Sequence, residues 1–76
     1  MQKGPSVEVI FGKVLRQVRE EKKLTQEKLA ELADVDRTYR TYIYRLETGK
    51  RSPSLSIILR ISKALKISPG TLLDKI

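Results

Sequence analysis

The chain has 76 residues with no cysteine and no histidine, and 16 lysines and arginines against 9 acids give a formal net charge of +7. So short a chain is one domain, residues 1–76, with a single small core, and it offers no imidazole base, thiolate nucleophile, disulfide or soft metal site. No apolar run approaches the roughly 18 residues that span a bilayer, and Met1 to Ser6 is too polar for a signal peptide, so a soluble cytoplasmic protein without catalytic activity, metal or cofactor is expected.

Residues 1–6 form a tail punctuated by Gly4-Pro5, and Ser6 is placed to cap the helix that follows. Val7, Ile10, Phe11, Val14, Leu15 and Val18 then recur at helical spacing, so one stripe faces a core while Lys13, Arg16, Glu20 and Lys23 face water. This first helix ends near Lys22. Thr25 caps a second, on which Leu29 and Leu32 share a side and the small Ala30 and Ala33 admit another helix closely. The turn Asp34-Val35-Asp36 follows, and aspartate tolerates the left-handed conformation better than most residues. A third helix ends at Glu47-Thr48-Gly49, where glycine can adopt the left-handed closing conformation.

Lys50, Arg51, Ser52 and Ser54 surround Pro53 in the next loop, and Ser54 caps a fourth helix whose inward stripe reads as Leu55, Ile58, Leu59, Ser62 and Leu65. Ser68-Pro69 opens a fifth as cap and first residue. Ile57, Ile61, Ile67, Leu72 and Ile76 are then surplus to the stripes. They could enlarge the core, but the favoured reading is a twofold dimer interface, a natural support for so small a domain.

Charge is unevenly spread along the chain. Between residues 37 and 66, Arg37, Arg40, Arg45, Lys50, Arg51, Arg60, Lys63 and Lys66 face only Glu47, and the other acids lie outside. The plainer account is a solvated basic face. The stronger one is a polyanionic partner, since a clustered basic patch gains free energy by displacing counterions from a phosphate backbone.

Over about residues 7 to 74, the helix, turn and helix from Thr25 to Gly49 with the basic loop beyond resemble the phage lambda repressor-like (Cro/Xre) helix-turn-helix family. Asp36-Arg37-Thr38-Tyr39 looks like the start of the recognition helix in restriction-modification controller proteins. The resemblance implies an all-α, compact five-helix domain. It also implies that Thr25, Gln26, Lys50 and Arg51 approach DNA phosphates, and that Arg19, seven residues before Gln26, pairs with Glu47. Taken without the resemblance, Gln26 is an ordinary first-turn polar residue and Arg19 a surface arginine.

The chain departs from the family at one place: Arg37-Thr38-Tyr39 is repeated at once as Arg40-Thr41-Tyr42, which moves Gln26 and Glu47 three residues further apart. Three helical residues add about 4.5 Å of rise and roughly 300° of rotation, so both ends of the third helix cannot keep their family positions. Anchoring at the start, with Asp36 as cap, places Arg40 where the family buries isoleucine, and an unpaired buried guanidinium is costly. Anchoring at the end keeps Ile43 and Leu46 in the core and Glu47 on Arg19, with Thr38 as a new cap. In that favoured register Arg40, Thr41, Tyr44 and Arg45 inherit the base-facing positions, and Arg37 stays in the turn near phosphates. A longer helix that displaces the second is the third outcome, and a changed hinge also opens a route to segment-swapped oligomers.

The expectation is therefore a sequence-specific regulator of transcription that binds double-stranded DNA as a homodimer on a palindromic operator, within the nucleoid, with no small-molecule ligand evident. Two alternatives remain open at this level: a helix-turn-helix used as a protein-interaction module of antitoxin or coactivator type, and a duplication variant with altered fold or oligomer and impaired specific binding.

Overall fold

A computed structural model describes residues 4–35 and 40–76, with the backbone alone described at Arg40. It contains α1 (Val7–Glu21), α2 (Gln26–Leu32), α3 (Arg40–Glu47), α4 (Leu55–Leu65) and α5 (Pro69–Asp74), and among the described residues no strand. None of these helices is long and apolar enough to cross a membrane. Asp36, Arg37 and Thr38, and with them the expected turn contact and alternative caps, lie outside the described residues.

Four helices start the same way. The hydroxyls of Ser6, Thr25, Ser54 and Ser68 accept from the backbone N–H three residues on, at Val9, Lys28, Ile57 and Thr71, over 3.3, 2.9, 3.1 and 3.0 Å. Each satisfies an amide that the helix leaves unpaired, for about 1 kcal/mol.

The ends are equally regular. Lys23, Asp34, Gly49 and Lys66 take φ of 60°, 59°, 76° and 60°. The next amide then donates back into the last turn, as from Leu24 to Arg19 O (3.2 Å), Val35 to Ala30 O (2.9 Å), Lys50 to Arg45 O (2.9 Å) and Ile67 to Ser62 O (3.0 Å). Leu24, Val35 and Ile67 follow a left-handed residue directly and pack against the core, so each closure also docks an apolar side chain.

The core joins Phe11, Val14, Leu15 and Val18 of α1 to Leu29, Ala30 and Ala33 from α2 and its cap, Tyr42, Ile43 and Leu46 of α3, Ile61 and Leu65 of α4, and Leu72 of α5. Helix α3 packs on α1 and α2, α4 on α2 and α5, and α5 also on α1. At the α1–α3 crossing Gly12 is essential for close approach: a Cβ there would stand 2.7 Å from the carbonyl carbon of Glu47 and against the carbonyl oxygens of Leu46 and Glu47.

Several apolar residues face differently from expectation. Ile61 and Leu72, expected at a dimer interface, have no exposed surface and belong to the domain's own core, whereas Leu55 and Leu59, expected inward, are exposed. The inward face of α4 runs through Ile57, Ile58, Ile61, Ser62 and Leu65, about one residue out of phase with the expected stripe. With Leu55, Ile57, Ile58, Leu59 and Ile61 in one 11-residue helix, hydrophobicity alone does not set its rotation. Val7 and Leu32 likewise point outward, and Ala30 and Ala33 take the close contacts of α2.

Candidate nucleic-acid interface

Helix α3 is oriented by its buried side. Ile43 and Leu46 are wholly buried, and Glu47, one residue further, is buried as well. Its carboxylate accepts from Arg19 Nε, from Arg19 Nη2 at 3.1 Å and from Gln26 Nε2 at 3.0 Å. Arg19 Nη1 donates to the Leu24 carbonyl at 2.7 Å, so one guanidinium ties α1, the loop before α2 and the end of α3 together. The hydrogen bonds to Glu47 raise the Arg19 pKa, outweighing the opposing effect of desolvation. Ile43, Leu46 and Glu47 are all directed inward, as the register anchored at the end of α3 requires of these three residues.

That register decides what faces water. Thr41, Tyr44, Arg45 and Thr48 are exposed, and their spacing at i, i+3, i+4 and i+7 puts them on one outward face. Of the four residues expected to meet base edges, Thr41, Tyr44 and Arg45 therefore lie together, while the Arg40 side chain is outside the described residues. Tyr42 of the same triplet points inward and is buried.

The residues expected near phosphates sit on two elements. Thr25 is exposed as the cap of α2, and Gln26 is half-buried with its amide nitrogen on Glu47. Lys50 and Arg51 are exposed in the loop after α3. That loop is fastened to the start of α1: Ser52 Oγ donates to Glu8 Oε2 at 2.8 Å, which holds the Glu8 carboxyl below the usual carboxylate range. Gly49 packs so closely on Val9 that an added Cβ would lie 2.6 Å from Val9 Cγ2. The guanidinium carbon of Arg51 lies 5.0 Å from the centre of the Tyr42 ring. Composition and spacing carried no sign of Gly12, of the Glu8–Ser52 bond or of this stacked pair, because each depends on how separate segments meet.

The arrangement is an exposed helix face bearing a guanidinium, a phenol and hydroxyls, flanked by a capped helix N-terminus and a basic loop. Such a helix fits the width of a DNA major groove, while amides and cations around it suit phosphate oxygens.

Comparison with known proteins gives the same picture. A family model described as helix-turn-helix matches residues 15–72. The control protein C.BamHI of Bacillus amyloliquefaciens is 44% identical over 70 residues, covering 91% of this chain and 83% of that protein. The restriction-modification controller protein C.AhdI of Aeromonas hydrophila, a crystal structure, superposes with a TM-score of 0.79 at 43% identity over 86% of this chain and 94% of its own. The biofilm regulator SinR, solved in complex with DNA, superposes with a TM-score of 0.74 at 32% identity, covering 84% of this chain and 98% of that one. The chain belongs to the Cro/Xre-type helix-turn-helix family of DNA-binding transcription regulators and is similar to restriction-modification controller proteins.

Proposed function

We propose that the protein is a sequence-specific transcription regulator that binds a palindromic operator as a homodimer, one α3 entering the major groove of each half-site. The carrying observation is the outward face of α3, with Thr41, Tyr44 and Arg45 exposed while Ile43, Leu46 and Glu47 hold the opposite side rigidly. Arg45 offers guanine paired donors, and Thr41 and Tyr44 offer hydroxyls. Thr25, Gln26, Lys50 and Arg51 take phosphates on either side. The similarity to a control protein and to a regulator solved with DNA supports this reading.

The dimer contact is assigned to the exposed Leu55 and Leu59 of α4 with Leu73 and Ile76 at the end of the chain, beside the half-buried Ile57 and Ile67. Apolar side chains left in water on two adjoining helices of so small a domain favour burial against a second copy.

Binding to arbitrary duplex DNA tests the electrostatic part. Titration at several salt concentrations is expected to give a log-log slope on the order of −4 to −8 for a dimer. A slope near zero contradicts a nucleic-acid partner.

A further inference from the structure

Arg51 and Arg19 use their guanidinium groups in opposite ways. The donors of Arg19 are spent on Glu47 and the Leu24 carbonyl. Arg51 instead lies over the Tyr42 ring at 5.0 Å, within the roughly 6 Å at which a cation is attracted to an aromatic face. Among the described residues its N–H groups form no ion pair. A guanidinium is planar and its donors point outward from its edges. Stacking therefore occupies a face and leaves the edge free for an anion.

The ring is itself set in the core. Tyr42 is buried with Ile43 and Leu46 in the core, one residue from Thr41 and three from Arg45 on the outward face of the same helix. The backbone bearing Arg51 is held between Gly49, which packs on Val9, and Ser52, bonded to Glu8. Both the base and the tip of the Arg51 side chain are thus restrained, and its reach is referred to α3. The neighbouring Lys50, also exposed, has no ring contact among the described residues.

We infer that Tyr42 is a positioning residue for DNA binding: its buried ring holds the Arg51 guanidinium by one face so that the N–H edge is presented to a backbone phosphate in fixed register with the reading face of α3. This rests on the DNA-binding reading above. It gives a role to an inward residue of α3, and it makes the Arg51 contact depend on the recognition helix. Ordering a long side chain before binding removes part of the rotamer entropy that the contact otherwise costs.

The test is a double-mutant cycle on a random-sequence duplex, measured at several potassium chloride concentrations. Arg51→Ala is expected to lower the magnitude of the salt slope by about 1 per protomer. Tyr42→Leu should weaken binding by about two- to fivefold per protomer, the range expected from losing one exposed cation–ring contact. In the Arg51→Ala background Tyr42→Leu should add no further loss. Tyr42→Phe, which keeps the ring, should rescue the wild-type affinity and slope. A loss from Tyr42→Leu that is equally large without Arg51 overturns the proposal, as does wild-type binding by Arg51→Ala.

A measurement on the free wild-type protein covers the case in which Tyr42→Leu does not fold. The Arg51 δ protons should be shifted upfield by the ring current relative to those of Arg45, and unshifted protons overturn the stacked geometry. Failure of the underlying reading is distinct: the wild-type protein then shows no salt-dependent binding at all, whatever the proton shifts, and the proposal falls with it.

Discussion

The inward and outward sides of α3 are held by different means. Inward, Ile43 and Leu46 have no exposure, Glu47 is gripped by Arg19 and Gln26, and the backbone of Gly12 lies against the last turn. Outward, Thr41, Tyr44 and Arg45 are in solvent, and among the described contacts the side chains of that face do little beyond Thr48 Oγ1 donating to the Tyr44 carbonyl at 2.9 Å. The inner side has lost the freedom to vary without cost to the fold, and the outer side has kept it. A change of inner residue should therefore move stability, and a change of outer residue should move recognition. That separation lets a small domain present different readable faces from one packing scheme.

The sharpest way to break the comparison is at the buried ion pair. Arg19→Ala leaves Glu47 without its charge partner in a desolvated site and should lower stability by about 3–5 kcal/mol in chemical denaturation. Arg16→Ala removes the exposed Arg16–Glu20 pair, whose side chains are 65% and 56% accessible at 3.2 Å, and should change stability by less than about 1 kcal/mol. Similar losses from the two variants would show that burial does not set the value of the Arg19 contact.

A smaller effect is expected at the helix crossing. Gly12→Ala gains helix propensity but drives a methyl group into the carbonyls of Leu46 and Glu47, which are backbone and cannot rotate away. The net effect should be a loss at the upper end of the about 1–3 kcal/mol usual for overpacking, read as a lower thermal midpoint. An unchanged midpoint would mean that α1 and α3 separate without cost, and the inner side of α3 would lose its claim to rigidity.

What could be read in advance follows the range of the interaction. Caps at Ser6, Thr25, Ser54 and Ser68 were legible because a hydroxyl and the amide it satisfies lie three residues apart, a relation visible in any short window. The left-handed closures at Asp34 and Gly49 were legible for the same reason. Those at Lys23 and Lys66 were not, since lysine has no intrinsic preference for positive φ and is held there by the apolar residue docking after it. The rotation of α4 is not legible because apolar residues lie on several of its faces: the stripe expected from spacing turns Leu59 inward and leaves Ile61 out, and the packing requires the reverse.

At the candidate site, the meeting of Arg19 and Glu47 across 28 residues of chain came from family resemblance rather than from local chemistry. The close approach at Gly12 and the Tyr42–Arg51 stack each join two segments whose meeting depends on how α3 packs and how its following loop is fastened. The tandem Arg-Thr-Tyr triplets sharpen the point. Two identical sequences stand side by side in the motif, and which residues of α3 face inward is set beyond them, by burial of Ile43, Leu46 and Glu47.

The central claim is that the outward face of α3 reads bases while the adjoining loop holds phosphates. The most direct test is to select a preferred duplex from a randomised pool and then compare the wild-type protein with Arg45→Ala and Lys50→Ala on that duplex and on a scrambled one. Arg45→Ala should cost about 1–3 kcal/mol on the preferred duplex and much less on the scrambled one, flattening discrimination, with the fold intact by circular dichroism. Lys50→Ala should weaken both duplexes nearly alike, because a phosphate contact carries no base information. Equal losses on both duplexes for both variants would contradict the assignment of α3 as the reading element.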